Sequence, residues 1–262
     1  MAKNYKIIIW HGIVAAISYG FWFDVAKWFE ALRLEKGFTS YAVITFAFMV
    51  SLVALGFILF ERKWLVLSLT GIIGATFVLN FGWSELNLIG LLILFLCAFK
   101  SYLDIMSEFQ QRIKIDLNEI LRHSIFTFIL GLFVLISFAA YQNPAFEQFS
   151  KFDQLPDQTE QYIKVVAENT IGHKIEGSEK EKQLILNKVS SEAYWQINNI
   201  VKPYFKYAPP LLAFTLFLIL WGLGWIFIWL SLWTGMLLFF IMKKVGFVKI
   251  EEKETKAEVL AI

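Results

Sequence analysis

Six stretches of the chain run for fourteen residues or more without an Asp, Glu, Lys or Arg: 7–23, 41–60, 64–84, 86–99, 124–146 and 207–242. A helix that crosses a bilayer needs about 20 apolar residues at about 1.5 Å each. The pattern therefore predicts an all-α polytopic integral membrane helix bundle with about six transmembrane helices, amphipathic connecting helices and a small helical extracytoplasmic insert. Residues 1–142 are expected to form a membrane bundle with five spans, near 7–23, 41–60, 64–84, 86–103 and 123–142. A helical insert at 143–206 follows, then a last span with an interfacial or packed extension at 207–242, and a cytoplasmic tail at 243–262.

The last run is too long for a simple span. As one helix it would exceed about 50 Å, against a hydrocarbon core of about 30 Å. Two short spans would use the length but carry the lysine-rich tail across the membrane. The favoured reading is one tilted span that starts near Pro209 and Pro210, where missing N–H groups cost little, with the extension at 231–242. The first run has loose features of a cleaved signal peptide. The bulky Phe21, Trp22 and Phe23 continue it past any cut after Gly20 and favour a retained span.

The short basic links set an expected orientation, because Lys and Arg collect on the cytoplasmic side. Lys3 and Lys6 precede the first run, and Arg62 and Lys63 fill the second link. Lys100, Arg112, Lys114 and Arg122 lie before the fifth run, and five lysines follow the last. Six spans with both termini inside put all four groups in the cytoplasm and the base-free link at 83–87 outside. The exception is 24–39, which faces out despite Lys27, Arg33 and Lys36.

Two connectors carry an apolar stripe at helical spacing. One runs through Val25, Trp28, Phe29 and Leu32. The other runs through Leu103, Met106, Phe109, Ile113, Leu117 and Ile120. Such helices are expected to lie flat in the membrane interface, the alternative being that they dock on the bundle or on a second protomer. Residues 143–206 hold eight lysines and nine acids and read as two helices, 157–171 and one opened by Ser178 with Glu181 three residues on, a capping box. Two helices bury too little to stand alone, so the hairpin is expected to lean on the membrane or a partner. Around Gly246–Ile250 the tail suggests a brief strand.

Composition sharpens the class and little more. Hydrophobic residues make up 58% and charged ones 18%, where a soluble domain has about 25% charge. A net charge of +2 without basic runs gives nucleic acid nothing to bind. The single cysteine, Cys97, forms no internal disulfide and reads as a small buried hydrophobe.

Candidate chemistry is sparse. His11 stands about one turn into the first run and is expected to be wet at the headgroup layer. Asn80, Glu85 and Asn87 bracket the tight link around Trp83, at the depth of a membrane interface. The three histidines, His11, His123 and His173, are far apart, and no zinc, nucleophile-elbow or phosphate-loop motif is present. No cofactor, metal site or catalytic residue is assigned. Three pairs of small residues four apart, Ala47 with Ser51, Thr70 with Gly74 and Gly71 with Ala75, offer close helix contact. Trp221, Trp225, Trp229 and Trp233 form a ladder at four-residue spacing; packing with an interfacial anchor is the expected role, an aromatic groove for a lipid the alternative. The expected function is a non-enzymatic scaffold or assembly component in the cytoplasmic membrane. Its partners would be the lipid bilayer, other membrane or envelope proteins, or a second copy. The alternative is a transporter or channel for a neutral or apolar solute.

Overall fold

A computed structural model describes residues 2–31, 40–60, 62–111, 116–144, 157–171 and 179–248. The described residues form helices α1 (Ala2–Ala31), α2 (Ser40–Phe60), α3 (Lys63–Phe81), α4 (Glu85–Gln111) and α5 (Leu117–Tyr141). After these come α6 (Asp157–Ile171), α7 (Glu179–Val201), a 3-10 segment (Lys202–Tyr207), α8 (Ala208–Gly222) and α9 (Gly224–Lys244). No strand occurs among them. Seven helical stretches are long and apolar enough to cross a membrane, and the chain is an all-α polytopic membrane protein.

The chain divides into two compact units, one of 1–140 with 213–262 and one of 141–212. In the first unit α2 is the central helix. Fifteen of its residues are buried, and α1, α3, α4 and α9 all pack on it. It is apolar on every side, which suits a helix surrounded by protein rather than lipid on one face.

Side-chain contacts fix the direction of each helix. Phe21 meets Phe46 at 5.4 Å and Trp10 meets Phe60 at 6.0 Å, so α1 and α2 are antiparallel. Ser18 reaches Thr76 at 2.6 Å and His11 reaches Ser68 at 2.8 Å, so α1 and α3 are parallel. In α4 and α5, Ser101 pairs with Ser124 at 2.6 Å, while Gly90 lies against Leu135, an antiparallel register. Phe133 meets Phe227 and Leu121 meets Gly235, which sets α9 antiparallel to α5. Phe46 with Phe227 and Ser51 with Ser231 then make α9 parallel to α2. Helices α1 to α5 and α9 therefore alternate in direction.

Two turns are fixed by glycine. Gly82, at φ 76° and ψ 179°, ends α3 three residues before α4, and Ser84 accepts a bond from the Asn87 N–H at 3.1 Å as the N-cap of α4. Gly246, at φ 75°, ends α9. The Phe247 N–H bonds to Met242 O and the Gly246 N–H to Lys243 O, the paired bonds of a Schellman cap. The expected strand is thus a helix cap over Gly246–Val248; residues 249 and 250 lie outside the described residues. The cap turns Phe247 onto α1, where it stacks on Trp10 at 6.4 Å and its carbonyl accepts from Lys6 Nζ at 2.8 Å.

Three further expectations change. The 24–36 stripe is no separate helix, because α1 runs on through Ala31 and buries Val25 and Phe29 in the bundle, with Phe29 against Phe81. Leu32 and the rest lie outside the described residues. The 100–122 stripe is likewise no separate helix, because α4 runs unbroken through Gln111 and α5 starts at Leu117; residues 112–115 lie outside the described residues. The 207–242 run is two helices that meet at Leu223. Leu223 keeps near-helical angles, its N–H bonds to Ile219 O, and its carbonyl accepts from the Ile226 N–H. Antiparallel helices need a loop of about 2–5 residues, so the single residue Leu223 makes a break in the helix rather than a turn back. The packed element begins at Gly224 rather than at the prolines, which open α8 instead.

In the second unit α6 and α7 pack together as a hairpin. The Ser178 cap lies outside the described residues.

Candidate functional site

Polar side chains in the first unit serve the helices before anything else. Ser18 donates to the Thr76 hydroxyl, whose own proton goes to the carbonyls one turn back. The Ser51 hydroxyl lies 2.6 Å from both Ala47 O and Ser231 O. The Trp10 indole N–H reaches Leu52 O at 3.1 Å, admitted by Gly56, where a methyl would stand 2.8 Å from the indole nitrogen.

His11 joins this set. Its Nδ1 lies 2.7 Å from Ile7 O, and a carbonyl only accepts, so Nδ1 carries a proton. Nε2 meets Ser68 Oγ on α3, and the ring stacks on Trp64 at 5.9 Å. His11 is thus an α1–α3 contact. The Asn80, Glu85 and Asn87 group is dispersed by the turn. Asn80 donates to Thr76 O, the Asn87 amide donates to Gly82 O, and Glu85 is exposed on the first turn of α4. Of the small pairs, Thr70 with Gly74 and Ala47 with Ser51 are buried, whereas Gly71 and Ala75 face outward. His123 has no described side chain, and His173 lies outside the described residues. Among the described residues no three His, Cys, Asp or Glu side chains gather as a metal site.

The tryptophan ladder behaves differently. Small residues Gly224, Ser231 and Gly235 turn to the bundle and let α9 approach α2 and α5. At 3.6 residues per turn, this puts Trp225, Trp229 and Trp233 on the adjoining flank, each more than half exposed. Trp229 and Trp233 stack at 5.9 Å. The flank faces a cleft of about 1180 Å³ between α4, α5 and α9. A smaller cavity of about 240 Å³, lined by Trp221, Trp225 and Phe133, continues it past the α8–α9 kink.

One end of this cleft is charged. Lys100 and Asp104 come from α4, and Asn118, Glu119 and Arg122 from the first turns of α5. Lys100 Nζ bonds both Asp104 carboxylate oxygens, at 2.9 and 3.1 Å. The Asp116 carboxylate caps the start of α5 through the N–H groups of Asn118 and Glu119, which suits a helix N-terminus. Sequence reasoning named the ladder but not this partner, since three segments far apart in the chain build the cleft. The antiparallel fold-back of α4 and α5, implied by their short link, was the available signal. The chain matches no family model, no curated protein and no solved structure.

Proposed function

We propose that this protein is a non-enzymatic scaffold or assembly component of a cytoplasmic membrane, binding another membrane or envelope protein through its helical insert. The observation that carries the reading is the surface of the α6–α7 hairpin. Tyr162, Leu184, Trp195 and Ile200 are each about two-thirds exposed or more, while among the described residues of the two helices only Leu186 and Ser190 are buried. Apolar surface on that scale marks an interaction site, and two helices with so small a core gain little stability by themselves.

Both termini are taken to be cytoplasmic. Supporting this, Lys6 lies against Phe247 beside Lys243 and Lys244, and His11 stacks on Trp64 beside Arg62 and Lys63. Basic groups from three segments thus collect at one end of the bundle, as the positive-inside rule requires of a cytoplasmic face.

A photo-reactive residue at Trp195, activated in cells and followed by mass spectrometry, tests the reading. One recurrent membrane or envelope protein is the expected adduct. Labelling restricted to lipid, or to scattered abundant proteins, would overturn it.

A further inference from the structure

We propose that the cleft between α5 and α9 holds one phospholipid of the surrounding membrane, with a zwitterionic amino headgroup at the charged end and acyl chains along the tryptophan ladder. Length is the first argument. From Trp221 to Met236 the lining of α8 and α9 extends about 22 Å at 1.5 Å per residue. One leaflet with its headgroup layer is about 20–22 Å deep, half of a 40–45 Å bilayer. Volume agrees, because the main cleft alone, at about 1180 Å³, exceeds the 300–1,000 Å³ typical of pockets for drug-sized ligands. The wall is apolar along its length, with Trp225, Trp229, Trp233 and Phe126, and charged only at one end.

Charge complementarity selects the headgroup. Two cations, Lys100 and Arg122, share the mouth with two carboxylates, Asp104 and Glu119. A phosphate finds Arg122 and Lys100, and a primary ammonium finds Asp104 and Glu119. The four groups sum to zero charge, which matches a headgroup carrying one positive and one negative charge rather than a net anion. The mouth lies toward the end of the bundle that carries Arg62 and Lys63, since Tyr102 beside it meets Phe57 of α2 at 5.9 Å, one turn before α2 ends. That depth suits snorkelling Lys and Arg side chains.

Native mass spectrometry of the full-length protein in detergent, with dioleoyl phosphatidylethanolamine or phosphatidylglycerol added, tests the proposal. One phosphatidylethanolamine is expected to be retained at least fivefold over phosphatidylglycerol. Arg122→Gln should lower retention of both lipids at least fivefold by removing a phosphate partner. Asp104→Asn should shift preference towards phosphatidylglycerol, because it frees Lys100 and leaves the mouth net positive, a swap that general damage would not produce. Thr127→Trp, which fills the cleft, should abolish retention of both. Equal retention of the two lipids by the unmodified protein, or variants at Arg122 and Asp104 that behave like it, would overturn the assignment. Both of those side chains reach solvent, so the test does not depend on the cleft-filling variant folding.

Discussion

Gly131 shows how closely α4 and α5 approach. A methyl there would stand 2.9 Å from Cys97 Cβ and 3.2 Å from Leu94 Cα, and backbone does not yield. Gly131→Ala should destabilise the bundle by about 1–3 kcal/mol, the usual range for overpacking. Gly12→Ala, at a helical site with nothing within 4 Å, should be neutral or slightly stabilising, since Ala is the better helix former by about 1 kcal/mol. Thermal unfolding in detergent, followed by size-exclusion chromatography, checks both; similar losses at the two sites would contradict the packing argument. The hydroxyl contacts at Ser18, Ser51 and Ser101 are weaker devices, near 0.6 kcal/mol each by analogy with other membrane helices. At this scale the sequence was legible in kind and not in direction. Spacing marked Thr70 with Gly74 and Gly71 with Ala75 equally, yet only the first pair meets a helix. The reason is physical, because lipid is as apolar as the bundle interior and α3 shows no polar side to tell the two apart. His11 shows the same limit, because its Ser68 partner on α3, 57 positions away, leaves no mark in the sequence.

Among the elements, the α8–α9 junction carries the clearest consequence. Gly222 has open space around it, and a methyl at Gly224 would make only an ordinary 3.5 Å contact with Phe133. The glycines are therefore not required by crowding, and their effect is to weaken the helix where it kinks, by about 1 kcal/mol each relative to Ala. A Gly222→Ala, Gly224→Ala double variant should strengthen the ladder through Leu223 and slow amide exchange at 223–226 by about tenfold. Unchanged exchange would mean that packing around Phe227, not glycine, holds the kink. The outer ends of most helices were readable from charge-free runs, and the prolines marked a real boundary, the start of α8. The kink was not, because no charge interrupts the 207–242 run and length alone gave only the expectation of an extension. The α1 extension through Ala31 was missed the other way, since charges at Asp24 and Lys27 suggested an end where the helix runs on and packs Val25 and Phe29 into the bundle. Lys100 and Asp104 also belong here. As an exposed i, i+4 pair they add little stability, within about 0–1 kcal/mol, which leaves them available as sensors of a headgroup.

At the scale of the whole molecule, the basic links are the ground for expecting an even number of crossings, and the contact register makes α1 to α5 and α9 alternate. The sequence could supply the first but not the cleft, because Lys100, Arg122 and Trp229 share a site only once α4 folds back on α5 and α9 docks beside it. The Lys6–Phe247 contact ties the two ends of this arrangement together, so they must share a membrane face whichever way the protein inserts. Single cysteines at Asn4, Trp83 and Lys244, in a Cys97→Ala background and probed with an impermeant maleimide, test this directly. Asn4→Cys and Lys244→Cys should label together and only after permeabilisation, whereas Trp83→Cys, on the exposed α3–α4 turn, should label in intact cells. Positions 4 and 244 labelling from opposite sides would break the six-crossing register. All three labelling with the opposite polarity would keep the register and reverse the insertion, which would in turn place the α6–α7 hairpin and its partner in the cytoplasm.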